Sequence, residues 1–212
     1  IIIKKNHPKF KIIDEMCFNS KNLYNEANYV LRQEFIENGN YISYYDMNKE
    51  FKTHENYKLT FSQPANCTLR SLDKNWKSYF AAIKDWKEHP DKYLGMPKLP
   101  KYLPKDGRFP WMIPNNQLVY DYEKSTIYIR NRHMNDYDWH CRCLGRPIQV
   151  RFIPHGNYYT MEICYEIEVE DINKEKISSR IASIDIGVDN LVTLTNNVME
   201  SPIIINGKPL KS

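Results

Sequence analysis

The chain has 212 residues, of which 42% are apolar, 26% charged and 13% aromatic, with a net charge of +4. A chain of this length can bury roughly 70% of its unfolded surface, its apolar and charged fractions are those of a globular protein rather than a disordered one, and no apolar run is long enough for a transmembrane helix. The mild positive balance does not by itself demand an anionic partner, and five Cys at 17, 67, 141, 143 and 164, odd in number and without framework spacing, point to reduced thiols in a cytoplasmic protein.

The start, IIIKKNHPKF, offers three apolar residues before its lysines, too few for a signal peptide, and does not open on Met. A first helix is expected over 20–38. Ser20 or Asn19 caps it, Leu23, Ala27, Val30 and Leu31 form its stripe, and Gly39 ends it. A shorter helix follows at 43–52, where Ser43 and Asp46 stand in a capping-box-like spacing. The strongest helix is 63–88, with Ser62 as N-cap and Pro64 in its first turn; Ala65, Leu69, Leu72, Trp76, Tyr79, Phe80 and Ile83 repeat at helical spacing. Pro90, Pro97, Pro100, Pro104 and Pro110 then forbid regular structure and mark a boundary. From 117 alternation takes over. One hairpin is expected across 117–130 and another across 147–170, turning at Pro154–Asn157. In the second, Tyr159, Met161, Ile163, Tyr165 and Ile167 share a face opposite Glu162, Glu166 and Glu168. A polar linker at 171–180 leads into IASIDIGVDNLVTLTNN, a strand, a tight turn and a strand. The class is α+β: a helical block, a β block, then the opening of another sheet.

Three constellations carry chemistry. Asp185 interrupts the apolar strand IASID, where an unpaired buried carboxylate costs several kcal/mol, roughly 2 or more, so a partner or a metal is expected. A strand–turn–strand with Asp-x-Gly in its first strand opens an RNase H-like fold, in which that carboxylate faces divalent metal; an ordinary turn built on Gly187 and Asp189-Asn190 explains the bend but not Asp185. The second is basic. Arg70, Lys74, Lys77 and Lys84 fall on one stripe of the 63–88 helix, roughly 80° wide and away from Leu69, Leu72 and Trp76. Residues 70–108 hold ten Lys/Arg against five Asp/Glu, a local net of +5 that exceeds the whole chain's +4. Such a stripe suits phosphate backbones, and Tyr93, Tyr102 and Trp111 interleave with the basic positions as candidate stacking platforms. A solvated helix face and core aromatics are the plainer alternatives. The third, His140-Cys141-Arg142-Cys143, has ligand types for zinc but no matching pair elsewhere and is read as structural. The chain has no P-loop, no GxSxG, no HExxH and no dinucleotide GxGxxG.

The segments SKNLYNEANYVLRQ, QPANCTLRSLDKNWKSYF, GMPKLPKY, ASIDIGVDNLVTLTNN and IINGKPLKS, in that order, resemble the N-terminal half of the OrfB/TnpB-type transposon-encoded proteins (transposase OrfB), relatives of type V CRISPR effectors. The resemblance implies a first wedge strand at 1–15, a helical recognition lobe at 16–92 inserted in an antiparallel, oligonucleotide-binding β domain (the wedge) at 93–175, and the start of a RuvC-like, RNase H-like nuclease domain at 176–212. It also implies an RNA-guided DNA endonuclease of transposable elements, linked to DNA recombination, which binds guide RNA and target DNA, has no membrane partner and cleaves with Mg²⁺. Asp185 would be the first of three catalytic, metal-binding carboxylates. The family's other two and its zinc-ribbon cysteines lie C-terminal to the residues of this chain, so no zinc site is expected within it and the 212 residues alone are not expected to cleave. A nuclease-deficient RNA/DNA-binding regulator or truncated remnant is the alternative. An actin-like ATPase fragment, which shares the Asp-x-Gly hairpin, is more remote, because Gly-rich phosphate loops must follow and the chain has seven Gly in total.

Overall fold

The apolar spacing of Phe10, Ile13, Met16 and Cys17 continues the stripe of the first predicted helix toward the N-terminus, and the structure uses all of it. In the computed structural model, which describes residues 1–168, 179–187, 190–198 and 201–207, strand β1 (Ile2–Lys4) is followed by a 29-residue helix, α1 (Phe10–Asn38). Ser20 and Asn19, expected as caps, are therefore buried in mid-helix. Gly39 does end it: its φ of 70° places it in the left-handed region that Gly enters without strain, and its N–H closes on the Phe35 carbonyl. Helix α2 (Tyr44–Phe51) starts as expected, with the Ser43 hydroxyl accepting from the Asp46 N–H. The short α3 (Glu55–Thr60) leads into α4 (Ser62–Glu88). Ser62 is inside α4 rather than capping it. Phe61 is the N-cap, at φ 66°, with the Arg132 guanidinium over its ring.

The described residues fall into two units, Ile1–Ile167 and Glu168–Ser212. In the first, β1 pairs with β7 (Tyr158–Glu166), β7 with β6 (Arg146–Pro154), and β6 with β2 (Trp111–Pro114), all antiparallel. The four helices thus lie, in the chain, between the two edge strands of one sheet. A smaller sheet has the order β3 (Leu118–Asp121), β4 (Thr126–Ile129) and β5 (Trp139–His140). Both expected hairpins form, and the second turns at His155–Asn157 with Gly156 at φ 69°. On β7, Tyr159 and Met161 are buried while Glu162 and Glu166 are exposed, as alternation requires.

Helix α1 serves two cores. Ile13, Met16 and Cys17 join Ile3, Trp111, Val150, Phe152 and Trp139 against the sheets. One or more turns on, Leu23, Tyr24, Ala27 and Leu31 pack with Met47, Phe51, Leu69, Leu72 and Trp76 among the helices. Each such side chain contributes roughly 1.5–3 kcal/mol by leaving water. The Pro-rich segment after α4 lies along the helices as an extended strap. Asn25 exchanges two hydrogen bonds with the Leu103 backbone, at 2.9 and 2.8 Å. Asn28 and Arg32 both donate to the Pro100 carbonyl, at 3.1 and 2.9 Å. At its end Arg108 grips Asp14 of α1 through Nε and Nη2, at 2.9 and 2.8 Å, while the Tyr159 hydroxyl donates to the same carboxylate at 2.6 Å. Beyond a single 3₁₀ turn at Pro90–Lys92 the segment has no regular structure, as its prolines dictate, yet the cores on either side of it belong to one unit.

The second unit holds a three-stranded antiparallel sheet of order β10 (Ile203–Asn206), β9 (Asn190–Asn196) and β8 (Ala182–Asp185). The two strands expected across 181–197 are there, registered with Ala182 opposite Asn196 and Asp185 opposite Thr193. The Gly187 N–H donates to the Asn190 carbonyl at 3.1 Å, and a Cβ on Gly187 would stand 2.9 Å from that oxygen. Most of the expected linker at 171–180, and Asp189 of the turn, lie outside the described residues.

Candidate nucleic-acid interface

Helix α4 has one face that must be buried and one that need not be. Ala65, Leu69, Leu72 and Trp76 are solvent-inaccessible, and Arg70, Lys74, Lys77 and Lys84 are all exposed on the other side. At a rise of about 1.5 Å per residue the four span roughly 21 Å along the helix.

Their surroundings differ. The Lys77 ammonium pairs with Asp73 at 2.7 Å, one turn back on the same helix. Asp73 is tied into the fold in turn: its Oδ1 accepts from the Tyr41 hydroxyl at 2.6 Å and from the Tyr44 N–H, in the first turn of α2, at 3.1 Å. Burial opposes the Asp73 charge, but the Lys77 and Tyr41 hydrogen bonds and the Lys77 charge outweigh it and hold the carboxyl below its ordinary value. The Arg70 guanidinium lies over the Tyr44 ring, 4.9 Å from its centroid, which fixes its direction without neutralising it. Lys74 and Lys84 make no ion pair among the described residues.

Where α4 passes the sheet, a groove of about 550 Å³ opens, and among its lining residues are Cys67, Arg70 and Lys74 from the helix and Asn115, Gln149 and Arg151 from the sheet side. No carboxylate is among the residues that line it. Arg151 points its Nε at the Gln149 amide oxygen, 2.7 Å away. Burial pushes the Cys67 thiol up, so Cys67 is a neutral wall of the groove rather than a nucleophile. The arrangement is a cationic cleft between a helix and a sheet, with two cations on one side and one on the other. A groove of one sign concentrates field and attracts anions.

Sequence reasoning found Arg70 and Lys74 and missed Arg151. On a strand that reads PIQVRFIP, Arg151 alternates outward between buried Val150 and Phe152; what no local pattern gives is that α4 packs against β2, the strand that pairs with β6 and sets Met112 opposite Arg151. Lys77 is held by Asp73, and Lys84 lies on the same stripe beyond the groove. The stacking candidates divide. Trp111 is wholly buried in the sheet core and is out of reach of a base. Tyr93 gives its hydroxyl to Asp85 at 2.7 Å. Tyr102 is 45% exposed, with the Arg32 guanidinium over its ring. In the His140–Cys143 stretch, His140 meets the Thr126 hydroxyl at 3.1 Å and the Cys143 thiol donates to the Gly145 carbonyl at 3.1 Å.

Asp185 ends strand β8, whose four residues are all exposed. The burial expected from the apolar strand is not present among the described residues: β8 is an edge strand, and Ile184 beside Asp185 is itself 60% exposed. Asp185 is the sole carboxylate on the three strands of its unit. A two-metal site needs several convergent oxygen ligands, and among the described residues no group of three metal-ligating side chains converges. One exposed carboxylate does not fit such a site alone, and no hydrolytic step follows from it.

No family model and no curated protein matches the chain. Solved structures that align with it include a CRISPR-Cas12f ternary complex, at 13% identity and a TM-score of 0.43, with 95% of this chain and 49% of that one covered. They also include a Cas12f1–sgRNA–target DNA complex, at 15% identity and a TM-score of 0.41, with 100% of this chain and 57% of that one covered. The chain therefore spans about half the length of either.

Proposed function

We propose that this chain is the nucleic-acid-binding part of an RNA-guided DNA endonuclease of the OrfB/TnpB type, with guide RNA and target DNA as its partners. The observation that carries the reading is the placement of Arg70 and Lys74 across one groove from Arg151, with no carboxylate lining it. Three cations from two elements, brought to one cleft, are a surface for phosphates. The five sequence segments that resemble the family supply the class. In this reading the helices are the recognition lobe, the sheet that carries Arg151 is the wedge, and Asp185 belongs to a Mg²⁺ site of the complete nuclease.

The test is the salt dependence of binding. Lys74→Ala combined with Arg151→Ala should weaken RNA and DNA binding alike, whatever the sequence. The slope of log K against log salt should fall in magnitude by about 0.7–0.9 for each phosphate no longer neutralised. Lys77→Ala should change the slope less, since Asp73 already holds that charge. Unchanged affinity and slope in the double variant would make the stripe a solvated face.

A further inference from the structure

Further along α4, toward its C-terminus, the strap borders a second hollow, formed by two adjoining grooves of about 350 and 510 Å³ that share Tyr79, Pro97, Lys98 and Lys101. Arg32 and Met96 extend it on one side. As in the first groove, no carboxylate lines it. Lys98 and Lys101 are exposed, and neither makes an ion pair among the described residues. The Arg32 guanidinium donates to the Pro100 carbonyl and lies over the Tyr102 ring; neither contact neutralises it. The floor is apolar. The Tyr79 ring is held by edge contacts with Phe35 and Trp76, and Met96 is left 58% exposed.

A third groove differs in its charge balance. Lys9, Lys11 and Arg132 line that one, but so do Glu15 and Asp136, and Lys9 is paired with Asp136, so its charge is already answered within the protein. Around the strap it is not. Three unanswered cations about an apolar, aromatic floor fit a ligand that carries both negative charge and a flat apolar face. A duplex presents its phosphates but keeps its base faces stacked on one another. Unpaired nucleotides present both, and aromatic floors beside cations are how single strands are held.

We propose that the hollow between α4 and the strap is a stacking subsite for unpaired nucleotides: Lys98, Lys101 and Arg32 meet the phosphates, and Tyr79, Pro97 and Met96 receive a base. This rests on the nucleic-acid reading above but names a different surface and a single-stranded ligand.

The experiment uses the full chain and three labelled probes: an oligothymidine, an abasic strand of the same length, and a duplex. Two variants are compared with it, Lys98→Ala/Lys101→Ala on the strap and Arg70→Ala/Lys74→Ala on the stripe. Both pairs are exposed and outside the cores, so the helical circular dichroism should be unchanged. The unaltered chain should bind oligothymidine about tenfold more tightly than the abasic strand, as one stacked base provides. The strap variant should lose oligothymidine affinity and about 1.4 of salt slope, two phosphates at about 0.7 each for a single strand, and should keep its duplex affinity. Equal binding of the abasic strand overturns the stacking subsite, as does displacement of oligothymidine by polyglutamate at equal charge, which would show a surface that reads charge alone. A silent strap variant beside a stripe variant that weakens every probe removes this subsite and leaves the proposed function standing. If neither variant changes any probe, both fall.

Discussion

At the scale of single residues, Asp73 shows how a charge on a basic helix can belong to the fold. It binds Lys77 of the stripe, the Tyr41 hydroxyl and the Tyr44 N–H, so it joins α4 to the start of α2. Asp73→Ala leaves the last two groups without their acceptor and should cost about 2–3 kcal/mol, read from urea unfolding. Its pH dependence has a definite sign. The folded-state pKa of Asp73 lies below the ordinary carboxylate value, so its stabilising contribution is complete above that value, about 4, and is lost as pH falls through the lowered one. Asp14 acts in the same direction, with the Arg108 hydrogen bond as the leading cause. The unaltered protein should therefore lose stability on the acid side below about pH 4. Asp73→Asn should retain an acceptor for Tyr41 and flatten that acid limb. An Asp73→Asn variant with the same acid limb as the unaltered protein would mean that the Asp73 charge is not linked to folding.

At the scale of elements, the strap is the part whose position depends on buried polar groups. Asn28 is fully buried in α1 and uses both ends of its amide: Oδ1 accepts from the Trp76 indole at 3.0 Å, and Nδ2 donates to the Pro100 carbonyl at 3.1 Å. Asn28→Leu replaces it with a similar volume but leaves the buried Trp76 indole without its acceptor and the Pro100 carbonyl with Arg32 alone, at a cost of about 1–3 kcal/mol. Limited proteolysis should then cut within residues 95–105 sooner than in the unaltered protein, and the same cleavage rate would show that Asn28 does not hold the strap. The elements were legible in the sequence to different degrees for physical reasons. Helix α4 and the two hairpins follow from periodicity, because each buries one face. The first ten residues of α1 carry the same stripe, but Ser20 and Asn19 read as a cap and hid its continuation; they are buried there and begin nothing. The path of the strap was not legible, since Asn25 and Asn28 direct it through hydrogen bonds that no local pattern encodes. The candidate site divides along the same line: helical spacing gave Arg70 and Lys74, while Arg151 joins them through tertiary packing alone.

At the scale of the whole molecule, the residues proposed for binding and the residue proposed for cleavage fall in different units, so the two proposals can be tested separately. The cationic groove and the strap hollow lie within Ile1–Ile167, and Asp185 lies within Glu168–Ser212. Asp185 is exposed at the end of β8, so replacing its carboxylate leaves no buried partner unsatisfied, and surface substitutions of that kind change stability by about 0.5 kcal/mol or less. Asp185→Ala should therefore leave folding nearly unchanged and, under the proposed function, the binding of guide RNA and target DNA as well. If Asp185 is a ligand of a Mg²⁺ site in the complete nuclease, the same variant should abolish DNA cleavage, because the site would lose one of the oxygen ligands that a hard cation needs. Asp185→Asn tests charge against shape, since it keeps an oxygen in place but removes the negative charge that a hard cation prefers. Binding retained with cleavage abolished in both variants is the expected result. Cleavage retained by Asp185→Ala removes Asp185 from the metal site, and loss of binding together with cleavage would show that the hairpin takes part in holding nucleic acid.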